Sequence, residues 1–143
     1  MQEKKTFISK KFEFSASHRC WQEKWSQEKN EKIFGLSTGF YGHGHNYELH
    51  VTVGGEVNPE TGMIINLTDL KKTVNKIIEQ FDHKYLNMDT PYFKDKIPTV
   101  ENIARVLFNL IDKQLKAGNS FYLENIRLYE RKDLYVDVRR KNN

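Results

Sequence analysis

Alternation of apolar and polar residues in two stretches constrains the fold of this chain more than any other feature of its sequence. Phe12, Phe14 and Ala16 alternate with polar residues, and the segment from His45 to Val53 repeats the pattern. Side chains of a β-strand point to opposite faces with a period of two, so each stretch predicts a half-buried strand. A turn at residues 58–62 (NPETG) separates these strands from the segments that follow.

Two segments after this turn carry apolar residues at the spacing of an amphipathic helix. The first stripe comprises Leu70, Val74, Ile77, Ile78 and Phe81, and the second comprises Ile103, Val106, Leu107, Leu110, Ile111 and Leu115. Asn66 or Thr68 can cap the first helix, whereas Thr99 can cap the second, which is predicted to end at Gly118. The charged segment from Trp21 to Lys32 is predicted to be a long loop.

Residues 121–130 and 134–138 predict two closing strands. The order ββααββ implies an α+β fold, in which two helices cover one face of a four-stranded antiparallel sheet. The other face of the sheet must then pack against something else, and a partner subunit is the natural candidate. We expect residues 1–143 to form a single domain.

Composition and charge narrow the functional classes. The net charge of +4 is small and dispersed, which argues against a nucleic-acid partner and is equally explained by attraction of a small anionic substrate. No stretch approaches the roughly 18 consecutive apolar residues of a membrane span, and the N-terminal segment lacks the apolar core of a secretory signal. The only cysteine, Cys20, excludes an internal disulfide framework. We therefore expect a cytoplasmic protein without a membrane or nucleic-acid partner.

The parity of three histidines predicts a metal site. His43 and His45 share their parity with the apolar residue Tyr47, and His18 shares its parity with the apolar residues of the first strand. If the two strands are neighbours, three imidazoles converge, and three histidines with an open fourth position are typical of catalytic zinc. Spacing alone leaves open the alternative that these are ordinary core histidines. His50 has the opposite parity and is predicted to be a surface residue.

Three further residues or pairs could carry chemistry. Asp82-His83 ends the first predicted helix, where a carboxylate beside an imidazole suits a general-base pair, although the helix dipole also favours histidine there. Glu130 continues the inward parity of its strand, and a buried carboxylate needs either an arginine or a ligand with adjacent N–H groups. Glu101 is at least as well explained by the positive end of the second helix.

Six motifs occur together in the order and spacing of a known family. They are FSASH (14–18), FG followed by GHGHNY (42–47), GMIINLTDLK (62–71), FDHKYLN (81–87), PTVEN (98–102) and LYE (128–130). From about Thr6 to Val138, nearly the whole chain, the sequence resembles the 6-pyruvoyl-tetrahydropterin synthase family, which includes the bacterial 6-carboxy-tetrahydropterin synthases.

The resemblance implies the tunnelling fold, in which subunits assemble through their sheets into a β-barrel. It implies a homo-oligomer, usually a homohexamer built from two trimers, with active sites between subunits. By the same resemblance, one Zn²⁺ per subunit is held by His18, His43 and His45, the pterin is bound by Glu130, Glu101 and Thr99, and protons are transferred by Asp82 and His83.

The implied reaction is a lyase reaction on 7,8-dihydroneopterin triphosphate. A base removes a side-chain proton, the pterin ring is reprotonated and triphosphate is eliminated, while zinc acidifies the side-chain hydroxyls. No external redox cofactor is needed, and Mg²⁺ can accompany the triphosphate. The product could serve tetrahydrobiopterin, queuosine or folate synthesis. A non-catalytic pterin-binding homologue and a structural metal-binding subunit remain as alternatives.

The chain departs from the family at Ser37. The family's base is typically a cysteine shortly before the first histidine of HGH, and alignment without gaps places Ser37, six residues before His43, at that position. A thiol has a pKa near 8.5, whereas a serine hydroxyl is far less acidic and needs a neighbouring base. Three explanations stay open: an engineered replacement, a natural serine with Asp82-His83 or a water on the zinc as base, or recruitment of Cys20 from the adjacent loop.

Overall fold

The computed structural model describes residues 4–115 and 120–141. These residues form a five-stranded sheet with the strand order β3-β1-β2-β4-β5. The strands are β1 (Thr6–His18), β2 (His43–Gly55), β3 (Lys84–Tyr85), β4 (Phe121–Arg131) and β5 (Leu134–Arg139). The helices are α1 (Gln27–Phe34), α2 (Leu67–Ile78), α3 (Leu86–Asp89) and α4 (Val100–Leu115), and a 3₁₀ turn spans Gly35–Thr38.

The four long strands confirm the predicted α+β fold. β1 pairs with β2, β2 with β4 and β4 with β5, all in antiparallel register. β3 adds a fifth strand parallel to β1, so the predicted number of four is too low. Its two residues are too few to show an alternating pattern. The chain reaches the edge of β1 because the N–H of His83 donates to the carbonyl oxygen of Ser15 over 2.6 Å.

The two predicted helices correspond to α2 and α4, which pack on one face of the sheet. Asn66 caps α2, and Thr99 accepts a hydrogen bond from the N–H of Asn102 at the start of α4. Phe81 is fully buried just beyond the end of α2. The predicted helix stop at Gly118 lies outside the described residues. The core includes the fully buried residues Tyr47, Leu49, Leu70, Ile103, Leu107 and Leu128.

The prediction of a loop from Trp21 to Lys32 is wrong, because α1 begins within this segment. Ser26 caps the helix by accepting the N–H of Lys29 over 3.1 Å. The only residue that α1 buries is Asn30, whose side chain donates to the carbonyl oxygen of Gln22 over 2.9 Å. The polar contacts of Asn30 and the stacking of Trp25 on Phe34, with 5.8 Å between ring centroids, hold α1 in place, and neither forms the apolar stripe that hydrophobic periodicity detects.

The sheet face opposite α2 and α4 is largely polar and also carries the tyrosines Tyr129 and Tyr135. On it, Nε2 of His50 lies 2.9 Å from Oε2 of Glu48, and Nε of Arg127 donates to Asp137 over 2.8 Å. His50 is half-buried on this face, on the side that its parity predicts. Among the described residues, no helix has both the length and the apolar character needed to span a membrane.

Candidate metal centre

Three histidines meet where β1 ends and β2 begins. In the antiparallel register, His18 lies opposite His43, and Ala16 lies opposite His45. Gly42, with φ of +74°, permits this junction, because a Cβ atom there would lie 2.8 Å from the carbonyl oxygen of His18. The three imidazole centroids are separated by 4.5, 4.9 and 5.2 Å, so the structure brings together the histidines that parity selected.

Glu130 of β4 completes a cluster of four residues. Its Oε1 lies 3.3 Å from Nε2 of His18 and 3.2 Å from Nε2 of His45. Nε2 of His18 also lies 3.1 Å from Nε2 of His43. One potential ligand atom from each of the four residues lies within 4.8 Å of all the others. A single ion at the centre could therefore contact all four side chains.

Two buried nitrogen atoms show that the cluster suits a metal. Nδ1 of His18 lies 2.6 Å from the carbonyl oxygen of Pro98, which can only accept, so Nδ1 carries a proton and Nε2 is the ring nitrogen that faces the cluster. Metal-binding histidines usually donate their other ring N–H to such an acceptor. Nε2 of His45 is buried, and although it lies 3.2 Å from Oε1 of Glu130, it makes no hydrogen bond of good geometry. Three imidazoles and a carboxylate suit Zn²⁺ or a related transition metal.

Burial also keeps the imidazoles in the form that binds metal. Burial lowers the pKa of His43, and the neighbouring His18 lowers it further. Burial likewise lowers the pKa of His45, although the negative charge of Glu130 opposes this effect. Metal ligation requires deprotonated imidazole nitrogens. The cluster is therefore ready to bind an ion at neutral pH without first releasing protons from these two rings.

Glu130 points inward, as its parity predicts, and its side chain is 14 % exposed. Its partners are imidazoles rather than an arginine, and the hydrogen bond from His18 holds the pKa of Glu130 below its usual value. An ion bound to the imidazoles would occupy the nitrogen atoms that face Glu130. The carboxylate would then be available as a fourth ligand or as an acceptor for a bound molecule.

The first turn of α4 lies behind His18. Pro98, which accepts the hydrogen bond from His18, directly precedes the capping residue Thr99. Glu101 is exposed in this turn, where the positive end of the helix dipole favours a carboxylate. Along with burial, the negative charge of Glu101 raises the pKa of the Cys20 thiol. Thr99 therefore directly follows the residue that orients His18, and neither Thr99 nor Glu101 belongs to the four-residue cluster.

Asp82 and His83 lie on the turn between α2 and β3, outside the four-residue cluster. Oδ1 of Asp82 accepts the N–H of Ser15 over 2.9 Å and lies 3.0 Å from Nδ1 of His83. His83 has a left-handed backbone with φ of +61°, and its side chain is 82 % exposed. An open cleft of about 580 Å³ is lined by both His83 and His45.

Replacing Asp82 with alanine is expected to lower the free energy of unfolding by about 1 kcal/mol at pH 7, because the hydrogen bond to Ser15 is lost. This bond and His83 hold the pKa of Asp82 below its usual value of 3.8. A depressed pKa stabilises the folded chain above pH 3.8, and this contribution disappears as the pH falls through the folded value. Urea denaturation should show the two proteins converging below pH 3.8, and a pH-independent difference would contradict this explanation.

Ser37 is half-buried on the 3₁₀ turn, which docks against the residues that follow His18. The carbonyl oxygen of Ser37 accepts the N–H of Cys20 over 2.9 Å. The backbone of Cys20, which carries the only thiol of the chain, therefore contacts the backbone of Ser37 directly. Cys20 is buried, and burial followed by the charge of Glu130 raises the pKa of its thiol to about 11. Such a thiol stays protonated at neutral pH.

Two residues of the site have little or no signal in the sequence. The contribution of Pro98 is a carbonyl oxygen, which every residue has, so no pattern distinguishes it. The hydroxyl of Tyr47 is buried without a hydrogen-bond partner, and burial raises its pKa, as does the charge of Glu130. The ring of Tyr47 lies edge-on to that of His45, with 5.6 Å between the ring centroids. In the sequence, only the strand parity of Tyr47 indicates that it faces the cluster.

The fold and this cluster define an α+β protein with a site suited to a metal ion, and comparison with known proteins shows its family. Residues 7–141 match the family described as 6-pyruvoyl tetrahydropterin synthase. The human 6-pyruvoyl tetrahydrobiopterin synthase is 45 % identical over 124 residues, which cover 86 % of this chain and 83 % of the human protein. The 6-carboxy-5,6,7,8-tetrahydropterin synthase of Rickettsia felis is 32 % identical over 67 % of this chain and 81 % of that protein.

Solved structures show the same relationship. The Caenorhabditis elegans 6-pyruvoyl tetrahydropterin synthase superposes with a TM-score of 0.89 at 30 % identity, covering 99 % of both chains. The chain belongs to the 6-pyruvoyl tetrahydropterin synthase family. This membership places it among the lyases that act on phosphates and confirms the resemblance that the motifs carry.

Proposed function

We propose that this protein is a zinc-dependent pterin synthase that converts 7,8-dihydroneopterin triphosphate to 6-pyruvoyl-tetrahydropterin and eliminates triphosphate. The observation that carries the proposal is the cluster of three histidines and one glutamate in a chain of this family. Of the relatives named above, the human protein has the highest identity and is a pyruvoyl rather than a carboxy pterin synthase by name, which favours the pyruvoyl product.

His18, His43 and His45 would hold one Zn²⁺ per chain. When bound, the ion would supply Lewis-acid polarisation of the substrate's side-chain hydroxyls. The chain contributes three rings that are neutral or held in one orientation, since Pro98 fixes His18 and burial lowers the pKa of the other two. Such prior orientation lowers the cost of assembling the site when substrate arrives.

Glu130 would bind the pterin ring. A carboxylate is an acceptor with two oxygens, and it matches the adjacent N–H donors at one edge of the ring. Its position beside the imidazoles would then set the distance between the ring and the side-chain hydroxyls. Thr99 and Glu101 would line the margin of the same pocket, next to the residue that orients His18.

Asp82 and His83 would transfer protons. Asp82 is fixed by Ser15 and lies against Nδ1 of His83, so it orients the ring while the other nitrogen stays accessible. Because the pair lies outside the cluster of its own chain, we propose that a homohexamer of two trimers completes the site between subunits. Mg²⁺ would accompany the triphosphate as a counterion.

Ser37 leads to a second candidate function. If the hydroxyl cannot remove the side-chain proton, the chain would bind pterin without turnover. Replacing Glu130 with alanine tests pterin binding itself, and Glu48, on the polar face of the sheet, provides the matched control. Pterin affinity that falls only in Glu130→Ala would contradict a purely structural metal-binding role.

Product analysis tests the proposed reaction. The zinc-loaded protein would be incubated with 7,8-dihydroneopterin triphosphate, and the pterins and triphosphate would be quantified by chromatography. We expect triphosphate and 6-pyruvoyl-tetrahydropterin in equal amounts. Release of an aldehyde would instead indicate side-chain cleavage of the kind that serves queuosine or folate synthesis. Tight binding of intact substrate without product would favour the non-catalytic homologue.

A further inference from the structure

Arg19, the residue that follows His18, is held in place from two sides by aromatic rings. Its guanidinium carbon lies 4.2 Å from the ring centroid of Trp21 and 5.5 Å from that of Phe40. Its Nε donates to the carbonyl oxygen of Thr38 over 2.9 Å. These contacts fix the plane of the guanidinium group, and they engage only one of its five N–H bonds.

The backbone of Arg19 is fixed as well. The side-chain amide of Asn87 accepts the N–H of Arg19 and donates to its carbonyl oxygen, each over 2.8 Å. The position of the side chain is therefore set at both ends. Immobilising an arginine costs side-chain entropy, and one hydrogen bond to a neutral carbonyl offsets only part of that cost.

The charge of Arg19 has no acidic partner in the part of the chain that the structure describes. Within residues 4–115 and 120–141, no carboxylate forms an ion pair with it, whereas Arg127 and Arg140 each pair with an aspartate. A half-buried, oriented guanidinium group without a carboxylate is suited to an anion that arrives from solution, and its planar N–H edge matches phosphate oxygens in pairs.

We propose that Arg19 forms the polyphosphate-binding part of the site, held ready by Trp21, Phe40 and Asn87. This inference rests on the proposed function for its location. In that substrate, the triphosphate is esterified to the carbon next to the side-chain hydroxyls that the histidines' ion would polarise. The phosphates must therefore lie within a few bonds of the histidine cluster, and Arg19 directly follows one of its members.

Inorganic tripolyphosphate is the probe that tests this proposal, because its binding requires no turnover. Calorimetry on the zinc-loaded protein should give a Kd that rises at least about tenfold in Arg19→Gln. Arg19→Lys keeps the charge but loses the paired N–H edge, so a rise of about threefold is expected. Arg105→Gln, an exposed arginine on α4, is the matched control and should bind as the unchanged protein does.

Three results would overturn the proposal. They are wild-type protein that does not bind tripolyphosphate, an affinity in Arg19→Gln within twofold of wild type, and an equal loss in Arg105→Gln. Zinc content and circular dichroism report whether Arg19→Gln folds. If that variant does not fold, the tripolyphosphate affinity of Arg19→Lys tests the proposal instead. If Arg19 only holds the 3₁₀ turn in place, its variants would lower kcat and leave tripolyphosphate binding unchanged. Tripolyphosphate binding without pterin turnover would contradict the proposed reaction but leave this inference intact.

Discussion

Replacing His43 with alanine is expected to reduce bound zinc from one equivalent per chain to less than about 0.1 after dialysis. The four potential ligand atoms lie within 4.8 Å of one another, so removing one of three imidazoles opens the site to water. Loss of a partner that merely orients a ligand typically costs 10–100-fold in metal affinity, and loss of a ligand should cost at least about 100-fold. Metal analysis by mass spectrometry measures this directly.

His50 provides the matched control for that experiment. It is a histidine of the same strand, but it lies on the opposite face of the sheet, 2.9 Å from Glu48. His50→Ala should therefore keep its full equivalent of zinc. Retention of metal by His43→Ala, or equal loss in both variants, would contradict a metal centre built on the inward face.

Replacing Ser37 with cysteine is expected to increase the rate of triphosphate release by about 100-fold or more. A thiol near a bound cation ionises close to neutral pH, whereas a serine hydroxyl stays protonated without a strong neighbouring base. The carbonyl oxygen of Ser37 accepts the N–H of Cys20, two residues after His18, so the backbone at position 37 lies close to the strand end that carries the cluster. Single-turnover measurements of triphosphate release would give the two rates.

Ser37→Ala distinguishes the explanations for the serine. If the hydroxyl takes no part in proton removal, this variant should match the unchanged protein, with Asp82-His83 as the remaining base. A rate in the unchanged protein equal to that of Ser37→Cys would instead show that the hydroxyl suffices. No product from either protein, despite tight pterin binding, would identify a non-catalytic homologue.

Strand parity predicted the metal cluster from the sequence because alternation is a local property of the backbone. His18, His43 and His45 each share the parity of a buried apolar residue, and Glu130 follows Leu128 in the same way. The face of the sheet to which a side chain points can be predicted from its position along the strand, without knowledge of the tertiary structure. For the three histidines, the pairing of β1 with β2 was the only tertiary assumption, and adjacent antiparallel strands made it a natural one. The contact of Glu130 with the histidines also needs the pairing of β2 with β4, which parity does not supply.

Features that depend on polar or long-range contacts could not be predicted in this way. α1 has a cap at Ser26 but buries a single asparagine, so hydrophobic periodicity missed it. β3 has two residues and exists because His83 bonds to Ser15, 68 positions earlier. The contact of Arg19 with the ring of Phe40 likewise joins residues that are distant in the sequence. Each of these features becomes visible only when the residues that form it are placed by the fold.

The dependence of triphosphate release on zinc tests the central claim most directly. The protein would be stripped with a chelator to below about 0.1 equivalent of metal, assayed with 7,8-dihydroneopterin triphosphate, and assayed again after one equivalent of Zn²⁺ is restored. We expect release to disappear with the metal and to return with it, in proportion to the zinc bound by His18, His43 and His45. Release at an unchanged rate by the stripped protein would contradict the account.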